Sequence, residues 1–93
     1  MNIQLLPEVL PGQPNTGHDG WIVVVYNNAT NTYDEVIDIL MKATACPLDE
    51  AKMETWEVDH LGKSVVHQGE QDECERAASV IRTIGIQVEV KQE

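Results

Sequence analysis

The chain has 93 residues, which is enough for one small folded domain and too few for two. Its 16 acidic residues against 6 basic ones give a formal net charge of −10, so binding to DNA, RNA or an anionic membrane is not expected. Hydrophobic residues make up 42% of the chain, but phenylalanine is absent and two Trp and two Tyr are its only aromatics. The core is therefore expected to be aliphatic.

The two cysteines and the first twenty residues indicate where the protein works. Cys46 and Cys74 form no C-x-x-C motif, and small disulfide-stabilised domains carry more cysteine, so both are predicted to be free thiols. Residues 1–20 hold three prolines and three glycines without periodicity, which predicts a flexible leader before a domain at residues 21–93. The leader lacks the features of a signal peptide or membrane span, so a cytoplasmic location is expected.

The first predicted elements are a strand and a helix. The β-branched and aromatic run at residues 21–26 predicts a central strand. The segment Thr32-Tyr33-Asp34-Glu35 fits a capping box, so a helix should begin there and extend to about Ala43. Its inward stripe is predicted to contain Tyr33, Val36, Ile37, Leu40 and Ala43, which recur at spacings of three and four.

The second half of the chain predicts two more helices and two more strands. A second helix should begin at Pro47, run to about Asp59 with Leu48, Ala51, Thr55 and Val58 inward, and stop at Gly62. A short strand at 64–67, a helix from 71 or 72 to 84 and a strand at 86–90 follow. The order β-α-α-β-α-β predicts an α+β two-layer sandwich, with helices on one face of a small antiparallel sheet.

Two polar segments are candidates for a binding site. The turn at residues 27–32 joins the first strand to a helix N-terminus, and residues 58–63 end the second helix; both should lie at one edge of the sheet. Asp59 is unusual because the dipole disfavours an acid at a helix C-terminus, which suggests a local partner such as a cation. The alternative for both segments is a solvated turn with an ordinary helix cap.

Metal binding and catalysis have little support in the sequence. No established ligand spacing joins His18, His60, His67, Asp59 and Cys46, so no metal or other cofactor is expected. Cys46 before a helix would be a candidate nucleophile with His60 as its base, but no orienting motif accompanies them. Cys74 fits an apolar helix face and is interpreted as a core residue. The protein is therefore not expected to be an enzyme.

Landmarks in register across residues 21–91 resemble the ClpS family. They are the strand with its Asn-rich turn, Asn31-Thr32-Tyr33, Val36-Ile37-Asp38-Ile39-Leu40-Met41, Ala51, Val58, Gly62-Lys63 and Glu75. ClpS proteins are adaptors that bind the first residue of N-degron substrates and hand them to a Clp-family AAA+ unfoldase and its peptidase. The resemblance implies the same fold, similar to the C-terminal domain of the ribosomal stalk protein, and the same partners.

The resemblance also implies an amine-binding site, from which this sequence departs. Asn27 matches the family's leading Asn, but Asn28 and Ala29 stand where two acids are usual, and Asp59 stands where the family has a His. An α-ammonium group in a partly buried niche requires acceptors, and opposite charge strengthens each bond. The hypothesis is that Asp59 replaces the missing carboxylates, so that Asn27, Asn28 and Asp59 bind the amine.

Other family positions imply a side-chain pocket and a docking surface. The pocket positions fall on Thr32, Tyr33, Val36, Thr55, Val58 and Ile86, with Tyr33 as the gate, although Val36, Val58 and Ile86 fit the core equally well. Lys63 and Asp72 match the pattern of the unfoldase-facing surface. Two alternatives stay open: a divergent member that has lost N-terminal recognition, and an interaction module without a proteolytic role.

Overall fold

A computed structural model describes residues 20–93, which contain the six predicted elements in the predicted order. The strands are β1 (Trp21–Tyr26), β2 (Lys63–Gly69) and β3 (Val88–Gln92). The helices are α1 (Tyr33–Thr44), α2 (Leu48–Leu61) and α3 (Gln71–Arg82). The expected leader lies outside the described residues except for Gly20, whose carbonyl accepts a hydrogen bond from the Glu93 N–H.

The three strands form one antiparallel sheet in the order β2-β1-β3. As predicted, β1 is central, and its Val23, Val24 and Val25 are all buried. The pairing of β1 with β2 shifts register between Val23 and Val24, which indicates a β-bulge, and ends with Tyr26 opposite Lys63. The chain therefore leaves β1 beside the point where β2 begins.

Local sequence signals fix the ends of α1 and α2. Both bonds of the capping box form: the Glu35 N–H donates to Thr32 Oγ1 at 3.1 Å, and the Thr32 N–H donates to Glu35 Oε1 at 2.9 Å. At the C-terminal end of α2, Gly62 adopts φ +91° and its N–H donates to the Val58 carbonyl. Glycine tolerates this left-handed conformation, so the predicted stop is confirmed.

The helices pack on the sheet around an aliphatic core, as the composition predicts. The core residues are Val23, Val25, Val36, Ile39, Leu40, Ala51, Val58, Val66, Cys74, Ala77, Ala78, Ile81, Ile86 and Val88. Complete burial of one such valine, leucine or isoleucine side chain contributes about 1.5–3 kcal/mol. The fold is the predicted α+β sandwich with β-α-α-β-α-β order.

Several predicted faces and boundaries were wrong. Tyr33 is 42% exposed and Leu48 is 48% exposed, so neither belongs to an inward stripe, whereas Ile39 is buried. The prediction assumed one narrow apolar stripe along α1. Because α1 packs against both α2 and α3, its buried face is wider and includes Ile39. Leu48 therefore does not take the inward position on α2 that was predicted for it, and Glu54, six residues further along the helix, is buried.

The last boundaries also differ. Helix α3 ends at Arg82, and Ile84 packs against the core from the following turn. Strand β3 begins at Val88 rather than at residue 86, because pairing with β1 begins where Val88 lies opposite Val25; Ile86 is buried but unpaired in the sheet. Strand β2 is longer than predicted, from Lys63 to Gly69, because pairing with β1 continues through its polar ends. Periodicity locates a strand, but its partner decides how far pairing extends.

Candidate functional site

The polar turn after β1 meets the C-terminal end of α2, as the topology predicts. The Asn27 N–H donates to the Gly62 carbonyl at 2.9 Å, one step beyond the pairing of Tyr26 with Lys63. This backbone bond ties the start of the turn to the residue that ends α2. Side chains from the turn, from α1 and from α2 therefore border a common space.

That space is a small pocket with a cavity volume of about 40 Å³. Its lining contains Asn27, Asn28, Asn31, Thr32, Tyr33, Val36, Thr55, Val58, Asp59 and Ile86. The structure thus brings together every residue predicted for the amine and side-chain sites and adds Asn31, which was not among the predicted pocket residues. Asn31 lies within the same polar turn, and that was the available signal. The binding role of these residues stays a prediction.

The floor of the pocket is also part of the core. Val36, Val58 and Ile86 are each no more than 5% exposed, so they belong to the core and also line this pocket; contact with a substrate side chain stays a prediction. Thr55 is 2% exposed, and its hydroxyl donates to the Ala51 carbonyl at 2.7 Å. Because that hydroxyl is already bonded within α2, the floor offers a ligand chiefly apolar surface.

Tyr33 and Asp59 span the mouth of the pocket between α1 and α2. The Tyr33 hydroxyl donates to Asp59 Oδ2 at 3.4 Å. Partial burial, together with the negative charge of Asp59, raises the pKa of Tyr33, so the phenol stays protonated and acts as a donor. Tyr33 therefore occupies one oxygen of the carboxylate predicted to bind an amine.

The Asn28 side chain makes its hydrogen bonds within the turn itself. Its Oδ1 accepts the Thr30 and Asn31 N–H groups at 3.2 and 3.0 Å, and its Nδ2 donates to Asn31 Oδ1 at 2.8 Å. Asn31 in turn donates through Nδ2 to the Ile84 carbonyl at 2.9 Å, which joins this turn to the one that follows α3. An amide oxygen with two lone pairs already used is a weak acceptor for a third donor. Asn28 shapes the pocket more than it offers a free ligand group.

His60 does not line the pocket, although it follows Asp59. Its ring stacks on Trp56 with centroids 4.2 Å apart, and its Nδ1 lies 3.0 Å from the Trp56 carbonyl. The same nitrogen is 3.5 Å from Asp59 Oδ2. His60 thus borders the outer side of the Asp59 carboxylate.

The two predicted docking residues lie far apart. Lys63 begins β2 beside the pocket, and Asp72 lies in the first turn of α3, after the other end of β2. Both are exposed. A strand of this length separates its ends by about 20 Å, so any docking surface containing both must extend along β2.

The thiol–imidazole pair considered in the sequence does not form. Cys46 precedes α2 and His60 lies near its C-terminal end, which places them about 18 Å apart along the helix axis. Cys74 is fully buried, and burial together with Glu73 and Glu75 raises the pKa of its thiol. Neither cysteine has the surroundings of an activated nucleophile within residues 20–93.

One protein-family model matches most of the chain. Residues 17–89 match the model described as "ATP-dependent Clp protease adaptor protein ClpS". The chain belongs to the ClpS family. This ClpS-family chain has the fold of Agrobacterium tumefaciens ClpS2 in its structure bound to L-phenylalaninamide, with a TM-score of 0.73 and 18% identity. The match covers 78% of this chain and 95% of that one.

Relatives of this ClpS-family chain also include much larger proteins. Human E3 ubiquitin-protein ligase UBR1 is 30% identical over 80 residues and human UBR2 is 36% identical over 63 residues, which is 86% and 68% of this chain. Ubr-1 of Caenorhabditis elegans is 35% identical over 57 residues, or 61% of the chain. The chain spans 3–4% of the length of these ligases. Within residues 20–93, every helix is too short or too polar to cross a bilayer.

Proposed function

We propose that the pocket between the Asn27 turn and the end of α2 binds the free N-terminus of a protein substrate. In this proposal, Asp59 and Asn27 bind the α-ammonium group and Asn28 holds the turn in place. Thr32, Tyr33, Val36, Thr55, Val58 and Ile86 surround the first side chain. The domain then acts as a non-enzymatic adaptor for N-degron substrates.

The placement of Asp59 is the observation that carries the proposal. Its carboxylate lies in the last turn of α2, next to apolar pocket walls, and is 51% exposed. The C-terminal end of a helix carries partial negative charge, so a cation placed there is attracted by both the carboxylate and the helix dipole. An N-terminal residue presents the complementary pair, an ammonium group beside a side chain.

The size of the pocket adds a condition on binding. A volume of about 40 Å³ is close to that of one water molecule and too small for a leucine or phenylalanine side chain. Tyr33 closes the mouth by its hydrogen bond to Asp59. A ligand with a large first side chain must therefore displace Tyr33, and its ammonium group then takes the oxygen that the phenol releases.

We further propose that the bound substrate is delivered to a Clp-family AAA+ unfoldase in the cytoplasm. The matched family is named as a Clp protease adaptor, and Lys63 and Asp72 are the exposed residues through which we propose docking. The matches to short segments of E3 ubiquitin-protein ligases suggest a second context for such a domain, as one part of a much longer ligase. Binding to each kind of partner is measured separately from binding to an N-terminus.

A specific observation favours a second candidate, a family member that docks but no longer reads the N-terminal residue. Ala29 offers no acceptor, and the Asn28 amide oxygen already accepts two backbone N–H groups. The amine site would then rest almost entirely on Asp59.

Fluorescence anisotropy tests the proposal against this candidate. Labelled peptides that begin with Leu, Phe, Tyr or Trp are titrated with the 93-residue chain at modest salt, beside N-acetylated copies of the same peptides. We expect binding of the free N-termini that acetylation abolishes, because acetylation removes the charge and two donors. Equal affinity for both forms, or no binding, would reject the proposal and favour the second candidate.

A further inference from the structure

A second group of polar side chains lies at the opposite end of α2 from the pocket. Glu50 and Glu54 are four residues apart on α2 and share one side of the helix, and Cys46 lies two residues before the helix begins. One donor atom from each, the Cys46 sulfur and one oxygen of each carboxylate, lies within 4.8 Å of the other two. These residues, which we call the α2 N-terminal cluster, play no part in the proposed function.

Glu54 is the member of this cluster that most needs a partner. The residue is 8% exposed, and its Oε1 is buried without a hydrogen-bond partner among residues 20–93. An unpaired buried carboxylate oxygen is costly, and proteins usually offset such a cost by pairing it with a cation or by protonating it. Burial, and then the neighbouring Glu50 and Glu57 carboxylates, raise the pKa of Glu54 to about 8.

The remaining contacts of the cluster leave it free to bind an ion. The Cys46 thiol is 3.8 Å from the Leu40 carbonyl, a weak contact. Glu50 and Glu54 also line a solvent-accessible cavity of about 480 Å³, through which an ion and its water ligands can enter. His67 borders that cavity, but its Nε2 lies 3.5 Å from Glu73 Oε1, outside the cluster.

We propose that Cys46, Glu50 and Glu54 bind a divalent transition-metal ion of the zinc type, with water in the fourth position. A thiolate favours borderline-soft ions over Mg²⁺ and Ca²⁺, and zinc accepts mixed sulfur and oxygen ligands. Bonds of about 2.3 Å to sulfur and about 2.0 Å to oxygen require the donor atoms to approach to about 3.5 Å. Rotation of exposed Glu50 and of the Cys46 side chain supplies that approach. The thiol and carboxyl protons pass to solvent as the ion binds.

This spacing, Cys-x-x-x-Glu-x-x-x-Glu, was not recognised in the sequence because it matches no established zinc motif. Its meaning depends on Glu54 being buried, and α2 has too many exposed acids for the sequence to single that residue out. The site would fix the turn between α1 and α2. It is independent of N-terminal recognition, and each can be tested without the other.

Metal titration of the reduced, chelator-treated 93-residue chain tests the site. We expect isothermal titration with Zn²⁺ alone to give about one ion per chain, and Co²⁺ to give tetrahedral visible bands with a thiolate charge-transfer band. Cys46→Ser and Glu54→Gln should each weaken Zn²⁺ binding by at least about 100-fold. Glu75→Gln, an exposed acid on α3, is the matched control and should bind as the parent chain does.

Folding of each variant is checked by circular dichroism, and a second measurement uses the unchanged chain. Bound Zn²⁺ should slow alkylation of Cys46 by iodoacetamide, while buried Cys74 serves as the internal reference. The proposal is overturned if the unchanged chain binds no Zn²⁺ or if alkylation of Cys46 is unaffected. It is equally overturned if Cys46→Ser binds as well as the parent, or if millimolar Mg²⁺ displaces the ion, since both results describe a non-specific acidic surface.

Discussion

Single side chains decide what this pocket can bind. Asp59 is the one carboxylate among the residues that line it, and the Asn28 amide is already used within the turn. Relative to the family pattern, negative charge is absent from the turn and present on α2 instead. In the proposed function, the charge that attracts the ammonium group therefore comes from Asp59 alone among the residues that line the pocket.

Asp59→Asn is the direct test of that dependence. The variant keeps the shape of the side chain and removes its charge, and a hydrogen bond to a charged group is worth about 1.5–3 kcal/mol, so affinity for a free N-terminus should fall about 10- to 150-fold. Peptide anisotropy measures the loss. Asp38→Asn, which removes an equal charge from the exposed outer side of α1, is the control and should change little. Unchanged affinity in Asp59→Asn would eliminate the relocated-charge hypothesis.

Tyr33 is expected to act in two separable ways. Its hydroxyl competes with the ligand for Asp59 Oδ2, and its ring narrows the opening. Tyr33→Phe should therefore raise affinity for all free N-termini by about threefold, because the 3.4 Å bond from the phenol to the Asp59 carboxylate is long and lies at the weak end of the range for hydrogen bonds. Tyr33→Ala should in addition shift preference towards Trp and Phe over Leu. If peptide titrations show neither change, the closed mouth has no role in selection.

At the scale of elements, the site depends on two helix ends. The capping box fixes the start of α1, and with it Tyr33 at the mouth of the pocket. Gly62 ends α2 in the left-handed conformation and places its carbonyl to accept the Asn27 N–H. A change at either end would move one wall of the pocket relative to the other.

Thr32→Ala should destabilise the domain by about 1 kcal/mol, the usual cost of losing an N-cap side chain. Urea unfolding followed by circular dichroism measures it. Thr30→Ala is the matched control, because Thr30 takes part in the turn through its backbone N–H. A control that loses as much stability as Thr32→Ala would show that the cap is not the cause.

Acid should weaken the same helix start. The Thr32 N–H, and then the Asn31 amide, lower the pKa of Glu35 below its ordinary value of 4.5. The ionised carboxylate therefore stabilises the folded state at pH values above 4.5, and this contribution is lost as pH falls from there through the lowered pKa. Unfolding of the parent and Glu35→Gln at neutral pH and at about pH 3 should show a smaller acid loss in the variant. Equal losses would contradict this role for Glu35.

At the scale of the whole molecule, strand β2 links the pocket to the proposed docking residues. Lys63 begins β2 next to the pocket, and Asp72 lies beyond its far end. A partner that contacts both must lie along β2. We expect such a partner to leave the pocket open, because the proposed adaptor role requires substrate and partner to be bound together.

Lys63→Ala and Asp72→Ala should each weaken binding to the N-terminal domain of a Clp AAA+ unfoldase by about fivefold, the scale of an exposed ion pair. Surface plasmon resonance measures docking, and peptide anisotropy on the same variants should be unchanged. Lys52→Ala, an exposed lysine on α2, is the control. Failure of the parent chain to bind any Clp unfoldase, with peptide binding intact, would direct attention to the ligase-type partners.

The sequence by itself determined the order of elements, the capping box, the glycine stop of α2 and the aliphatic core. Those features depend on neighbouring residues, because dihedral preferences and i to i+3 hydrogen bonds act within a few positions. The grouping of the pocket residues came from a family resemblance, and the fold places those residues together.

Only the tertiary structure decided which side chains are covered and which groups are already bonded. Tyr33 fits the apolar spacing of α1 yet is exposed. Glu54 is buried, although nothing in the sequence distinguishes it from the exposed acids of α2. The Asn28 amide is used within its own turn, and Cys46 faces two glutamates rather than His60. Burial and pairing depend on which elements pack together across the whole domain, and periodicity along one helix does not contain that information.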